Sequence, residues 1–150
     1  LASRAYASDP CHPIALVLIA HELSNRHRFQ QARKLAERAL HYADLPRPKA
    51  LCHWQIGRAL HAEGRAGAAL AALQQAVALY PELVPAQFEL GQLYYAKGDA
   101  KKAVEALQVA ANALPKNFDV LRVRRCVVCA ERWSDALPVP VPLDLRERAV

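Results

Sequence analysis

Apolar residues in this chain recur at helical spacing, in pairs of short runs separated by tight polar turns. The clearest pair is Ala86–Pro115, AQFELGQLYYAKGDAKKAVEALQVAANALP, which predicts two amphipathic helices around Lys97-Gly98-Asp99. The first helix carries Phe88, Leu90, Gly91 and Tyr94; the second carries Ala103, Leu107 and Ala110 and stops at Pro115. Gly91, Ala103 and Ala110 matter as much as the large residues, because two helix axes approach closely only where side chains are short. Asp99 suits the N-cap of the second helix, where its carboxylate accepts otherwise orphaned backbone N–H groups. Gly98 suits a left-handed turn residue.

The same order recurs 34 residues earlier: Ile56, Gly57, Leu60, Gly64, Ala69, Leu73, Ala76 and Pro81 fall on Leu90, Gly91, Tyr94, Gly98, Ala103, Leu107, Ala110 and Pro115. Upstream, Pro13–Asn25 predicts a first helix with Leu16, Ile19, Ala20 and Leu23 on one face. Phe29–Tyr42 predicts its partner, with Ala32, Leu35, Ala36 and Ala39 facing inward. The connection Asp44–Lys49 is three residues longer than the regular spacing, and its two prolines are expected to stop the helix and stiffen a loop.

A 34-residue period of helix–turn–helix units in this large/small/aromatic/Ala/Pro order resembles the tetratricopeptide repeat, TPR. The resemblance implies an all-α fold, an α-solenoid of stacked TPR hairpins coiled into a right-handed superhelix. The expected organisation is the end of a preceding repeat (1–12), repeats at 13–49, 50–83 and 84–117, and a degenerate partial repeat (118–137). There Arg124 and Arg125 stand where the other repeats have an apolar and then a small residue. A stretch with Pro138, Pro140 and Pro142 and a charged tail follow (138–150). No single hairpin buries enough apolar surface to offset its chain entropy, so such units must stack.

Composition adds to the picture without changing it. The 150 residues are 53% hydrophobic with only five Gly, which favours helix. Absence of any Met, even at position 1, points to a piece of a longer chain. A net charge of +6 permits an acidic partner or nucleic acid without demanding either. Arg26, Arg28, Arg33, Lys34 and Arg38, and later Arg122, Arg124, Arg125 and Arg132, gather the basic charge. Weak phosphate contact is one reading of them, and a solvated face answering acids such as Glu37 and Glu131 is the other. Four Cys without a framework spacing fit a reducing compartment. The apolar run Ile14–Ala20 lacks a basic leader and a cleavage site, and is too short to span a bilayer. It therefore reads as a buried helix, and no membrane role is expected.

In a stacked array the first helix of each pair lines the inner wall. Spacing i, i+3, i+7, i+10 selects Ile14, Val17, His21 and Ser24; Leu51, Trp54, Arg58 and His61; Pro85, Phe88, Gln92 and Tyr95; and Asp119, Arg122, Cys126 and Cys129. Within these stripes, His21, Trp54, Arg58, His61, Phe88, Gln92, Tyr95 and Arg122 are the candidate partner-binding residues. Aromatic and Arg side chains are enriched at protein-binding hot spots, which suits a groove for a peptide or helix. Some TPR proteins grip a C-terminal carboxylate with Lys, Asn and Arg; the corresponding places here hold Val17, His21, Gln55, Pro85 and Glu89, so that clamp is absent.

Catalytic chemistry finds little support. The chain has no Gly-rich phosphate loop, no HExxH and no nucleophile with a plausible base nearby, so no enzyme activity and no cofactor are expected. Cys126-Val-Val-Cys129 supplies two of the four ligands that structural zinc needs, and lies mid-helix where a redox pair wants a helix N-terminus. Two half-buried thiols is the better account.

A narrower resemblance rests on Ala20-His21, on Arg58 with His61, and on Ala86–Gln92, with Asp9-Pro10, Leu35-Ala36, Tyr94 and Gly98-Asp99 beside them. These residues resemble the large TPR subunits of the RNA polymerase II-associated factor (PAF) elongation complex. The resemblance implies a nuclear, non-catalytic scaffold that holds other subunits and couples elongation to chromatin modification. Arg124, Arg125 and the Asp44–Lys49 connection depart from that pattern. The other readings are a cytoplasmic TPR adaptor in trafficking, cilia or ribosome association, a bacterial assembly protein, or a basic TPR module that binds RNA.

Overall fold

A computed structural model describes residues 11–113 of the chain. Six helices occupy them: α1 (Pro13–Asn25), α2 (Phe29–Tyr42), α3 (Pro46–Ala62), α4 (Ala66–Leu79), α5 (Val84–Lys97) and α6 (Ala100–Ala113). The described residues hold no strand. The expected partial fourth repeat, the Pro-rich stretch and tail, and residues 1–10 lie outside them. The chain divides into two compact units between Ala86 and Gln87.

Three hairpin turns are built to one plan. Arg28, Arg65 and Asp99 each donate a backbone N–H to the carbonyl five residues back (Leu23, Leu60 and Tyr94), all at 2.9 Å. His27, Gly64 and Gly98 each donate to the carbonyl three residues back, at 3.0 Å. This pair of bonds satisfies the last carbonyls of the first helix and requires a left-handed residue between them. Gly64 (φ 79°) and Gly98 (φ 87°) supply it without strain, whereas His27 adopts φ 59° as an L-residue.

The turns differ in how they start the second helix. Asp99 caps α6 by accepting from the Lys102 N–H at 3.3 Å, with the Lys102 ammonium 3.1 Å from its other oxygen. Its carboxyl pKa is lowered by those Lys102 bonds. At the equivalent places α2 and α4 begin with Arg28 and Arg65, which make no side-chain cap. Each sets a positive charge beside the positive end of a helix dipole.

Packing within the hairpins turns on small residues. A Cβ on Gly57 would meet Leu73 Cγ at 2.8 Å and the Ala69 carbonyl at 3.3 Å. One on Gly91 would meet Leu107 Cγ at 2.6 Å and the Ala103 carbonyl at 3.3 Å. The core beside these contacts is rich in Ala: Ala20, Ala32, Ala36, Ala39, Ala69, Ala76, Ala103 and Ala110 are all fully buried. In the first unit α1 packs on α2 and α3 on α4, and the hairpins stack through α2 on α3 and α1 on α3. Leu16, Val17, Ala39, Ala43 and Cys52 form one cluster there, with Leu35, Leu40 and Leu51 against it. In the second unit Ala103 and Leu107 carry Phe88, Tyr94, Tyr95 and Val104.

The connection between the first two hairpins corrects an expectation. Pro46 and Pro48 do not hold a loop; they lie in the first turn of α3, which runs 17 residues against 14 for α4, α5 and α6. The N–H groups of a helix's first turn have no intrahelical acceptor, so proline there forfeits no bond. The first helical bond, Lys49 N–H to the Leu45 carbonyl at 3.2 Å, follows the second proline. The added turn sets the Arg47 guanidinium 5.7 Å from the centre of the Tyr80 ring at the far end of α4.

The uncapped helices give a direct test. Arg65→Asp installs at α4 the cap that α6 already has and removes a charge opposed to the dipole. It should stabilise the chain by about 0.5–1 kcal/mol, read as a raised midpoint in chemical unfolding.

Candidate functional site

The residues expected on the inner wall of the first unit meet between α1 and α3. Ala20 is buried with Ala32 and Ala36 of α2, and the next residue, His21, faces α3. His21 Nδ1 lies 2.9 Å from Gln55 Nε2 and 2.9 Å from Arg58 Nη1. Arg58 Nη2 donates to Asn25 Oδ1 at 3.0 Å. The Trp54 ring lies over the imidazole, centroids 5.6 Å apart at 32°. Burial and then the Arg58 charge lower the His21 pKa from 6.5, while Glu22 pulls it back up.

Sequence reasoning placed His21, Trp54 and Arg58 on this wall, and the structure brings all three together, half-buried. His61 is half-buried one turn further along α3. Val17 and Ser24, from the same helical stripe, are instead buried, Val17 in the hairpin core. In the second unit Phe88 and Tyr95 rest against the Ala103–Leu107 cluster, so part of each ring belongs to the hairpin core; Gln92 is half-buried. Arg122 and the Cys126–Cys129 pair lie outside the described residues.

Gln55 was not among the candidates, yet it is the fully buried polar residue at the centre of the cluster. Its Oε1 has no hydrogen-bond partner. The stripe rule missed it because Gln55 sits one residue beyond Trp54, on the face turned toward α1. A glutamine where the core-facing positions are apolar was the available signal.

The basic helix α2 is partly self-neutralised. Arg33 holds Glu37 at 2.9 Å and Glu63, at the end of α3, at 3.2 Å, and these bonds raise its pKa. Lys34 and Arg28 remain exposed. Among the described residues no group of His, Cys, Asp and Glu side chains is arranged to hold a metal ion, and no helix is long and apolar enough to cross a membrane. Burial pushes the Cys52 thiol up to about 12, which leaves it protonated and unreactive at neutral pH.

Two models described as Tetratricopeptide repeat match, over residues 17–84 and 60–125. RNA polymerase-associated protein CTR9 of Caenorhabditis elegans is 30% identical over 124 residues, 82% of this chain. The chain spans only 11% of that relative's length. The crystal structure of MamA aligns with a TM-score of 0.70 at 19% identity, covering 89% of this chain and 77% of MamA. The first TPR of Spaghetti (RPAP3), bound to the HSP90 peptide SRMEEVD, aligns with a TM-score of 0.73 at 16% identity, covering 81% of this chain and 96% of that one. These structural likenesses show the fold.

Acid should weaken this wall and the hairpin under it. His21 and His53 both have folded pKa values below 6.5, His53 through burial. The unfolded chain therefore binds more protons between the two values, and the stability these residues give is present above pH 6.5 and lost as pH falls through the lowered values. Asp99 titrates below this window, since its carboxyl is lowered from 3.8. Urea unfolding should show a lower midpoint at about pH 5.5 than at about pH 7.5, and His53→Gln should shrink the difference.

Proposed function

The chain belongs to the tetratricopeptide repeat family, and from that premise we propose that it is a non-catalytic interaction segment of a larger scaffold. Its helices α1 and α3 offer a wall that holds a protein partner, as an extended peptide or a helix. The observation that carries this reading is the half-exposed Trp54–His21–Arg58 cluster between α1 and α3. The cluster joins α1 to α3 through its hydrogen bonds, yet Trp54, His21 and Arg58 each keep part of their surface in solvent, where a partner can reach them. Aromatic and Arg groups held in place by neighbours lose little entropy on contact, which is why they dominate binding energy.

The partner class comes from the likeness to CTR9, named as RNA polymerase-associated. It supports a nuclear scaffold in the PAF complex, working in transcription elongation and chromatin modification. The Spaghetti complex with an HSP90 peptide supports the use of this fold to hold a peptide. The mode would differ, because Val17, at one clamp position, is buried, and His21 and Gln55, at two more, are tied to one another.

Nucleic-acid contact is the weaker reading. Lys34 on α2 and Arg28 just before it are exposed, but Arg33 between them is committed to Glu37 and Glu63.

Affinity capture with the 150-residue chain tests the proposal, using nuclear and cytoplasmic fractions side by side. Retention of PAF-complex subunits from the nuclear fraction is the expected result. Trp54→Ala should then weaken it by about 30-fold or more, the ~2 kcal/mol of a hot-spot aromatic. Retention of cytoplasmic machinery alone, or equal retention by the variant, would contradict the reading.

A further inference from the structure

His21 sits in an arrangement that only a neutral ring can satisfy. Arg58 has donors and no acceptor, so the Nδ1 it approaches at 2.9 Å must present a lone pair. The imidazole proton is then on Nε2. Gln55 Nε2 shares that single lone pair at 2.9 Å, which turns its carbonyl away, and that Oε1 is buried with no partner. An unmade hydrogen bond on a fully buried amide is costly, so the neutral state carries a standing penalty.

We propose that this cluster is a proton-operated two-state latch. In the neutral state Arg58 and the Gln55 amide N–H both hold His21 Nδ1, and Oε1 is orphaned. In the protonated state Nδ1–H becomes a donor. The Gln55 amide turns over, Oε1 accepts from the imidazolium, and the guanidinium withdraws from a ring that now carries its own sign of charge. Each state satisfies one group that the other leaves wanting, which gives a switch two discrete positions.

Among the described residues, the charges that shift the ring are Arg58 from α3 and Glu22 on α1 itself. Gln55 and Trp54 are its uncharged neighbours on α3. The output is local: Arg58 leaves the end of α1, and Trp54 loses the neutral ring it lies against. Any effect on partner binding rests on the wall reading proposed above. The latch itself needs no partner, so its test is independent of that reading.

The test is a pH titration of the 150-residue chain by NMR, following the His21 ring nitrogens and the Arg58 side-chain N–H signals. In the parent the His21 midpoint should fall below 6.5, with the Arg58 signals moving at the same midpoint. Gln55→Leu removes the acceptor that the imidazolium needs and should lower the midpoint further. Gln55→Glu supplies a stronger acceptor and should raise it by about one pH unit or more. Should the leucine variant fail to fold, the glutamate variant and Arg58→Gln, which should also raise the midpoint, carry the test. Arg58 signals that stay still while His21 titrates, or a midpoint indifferent to residue 55, would overturn the proposal.

Discussion

The fold depends on how closely two helices of a hairpin approach at a residue without a side chain. Gly57 lies against Leu73 and Gly91 against Leu107 at distances that admit no methyl group. Leu73 and Leu107 are fully buried because the glycine opposite makes room for them. The neighbouring positions hold alanine, so most of the core consists of short side chains at close range. Such a core gains from many close contacts rather than from a few large residues. It tolerates little added volume.

With Ala20, Gly57 and Ala59 among their buried residues, α1 and α3 also carry a tryptophan, two histidines and an arginine that stay half-exposed. The hairpins set the spacing at which those groups meet. His21 and Arg58 are 37 residues apart in the chain, and their contact exists only because the second hairpin stacks on the first. Neither hairpin alone contains the cluster.

Much of this was legible in the sequence, for physical reasons. The 34-residue period exposed the hairpins, since each turn demands a left-handed residue and each crossing a small one. The Gly98-Asp99 turn and its cap follow from chemistry that few residues can supply. Other features were hidden because they depend on context. Two prolines mark a break in most settings, but at Pro46 and Pro48 they fall where a helix has no bonds to lose. The histidine at 27 takes a glycine's backbone conformation, which no composition rule announces. Val17 and Ser24 share a stripe with His21 and yet are buried, because simple spacing ignores which neighbour covers each residue. Gln55 escaped for the converse reason: its importance lies in what it touches on another helix.

The central claim is that the glycine and the leucine facing it are one packing unit. A double-mutant cycle on Gly57 and Leu73, read by urea unfolding, tests it most directly. Gly57→Ala should destabilise the parent by about 1–3 kcal/mol, because its Cβ collides with Leu73. In the Leu73→Ala background the same change should be neutral or stabilising by up to about 1 kcal/mol, since the collision is gone and alanine is the better helix former. Strictly additive effects of the two substitutions would contradict the account.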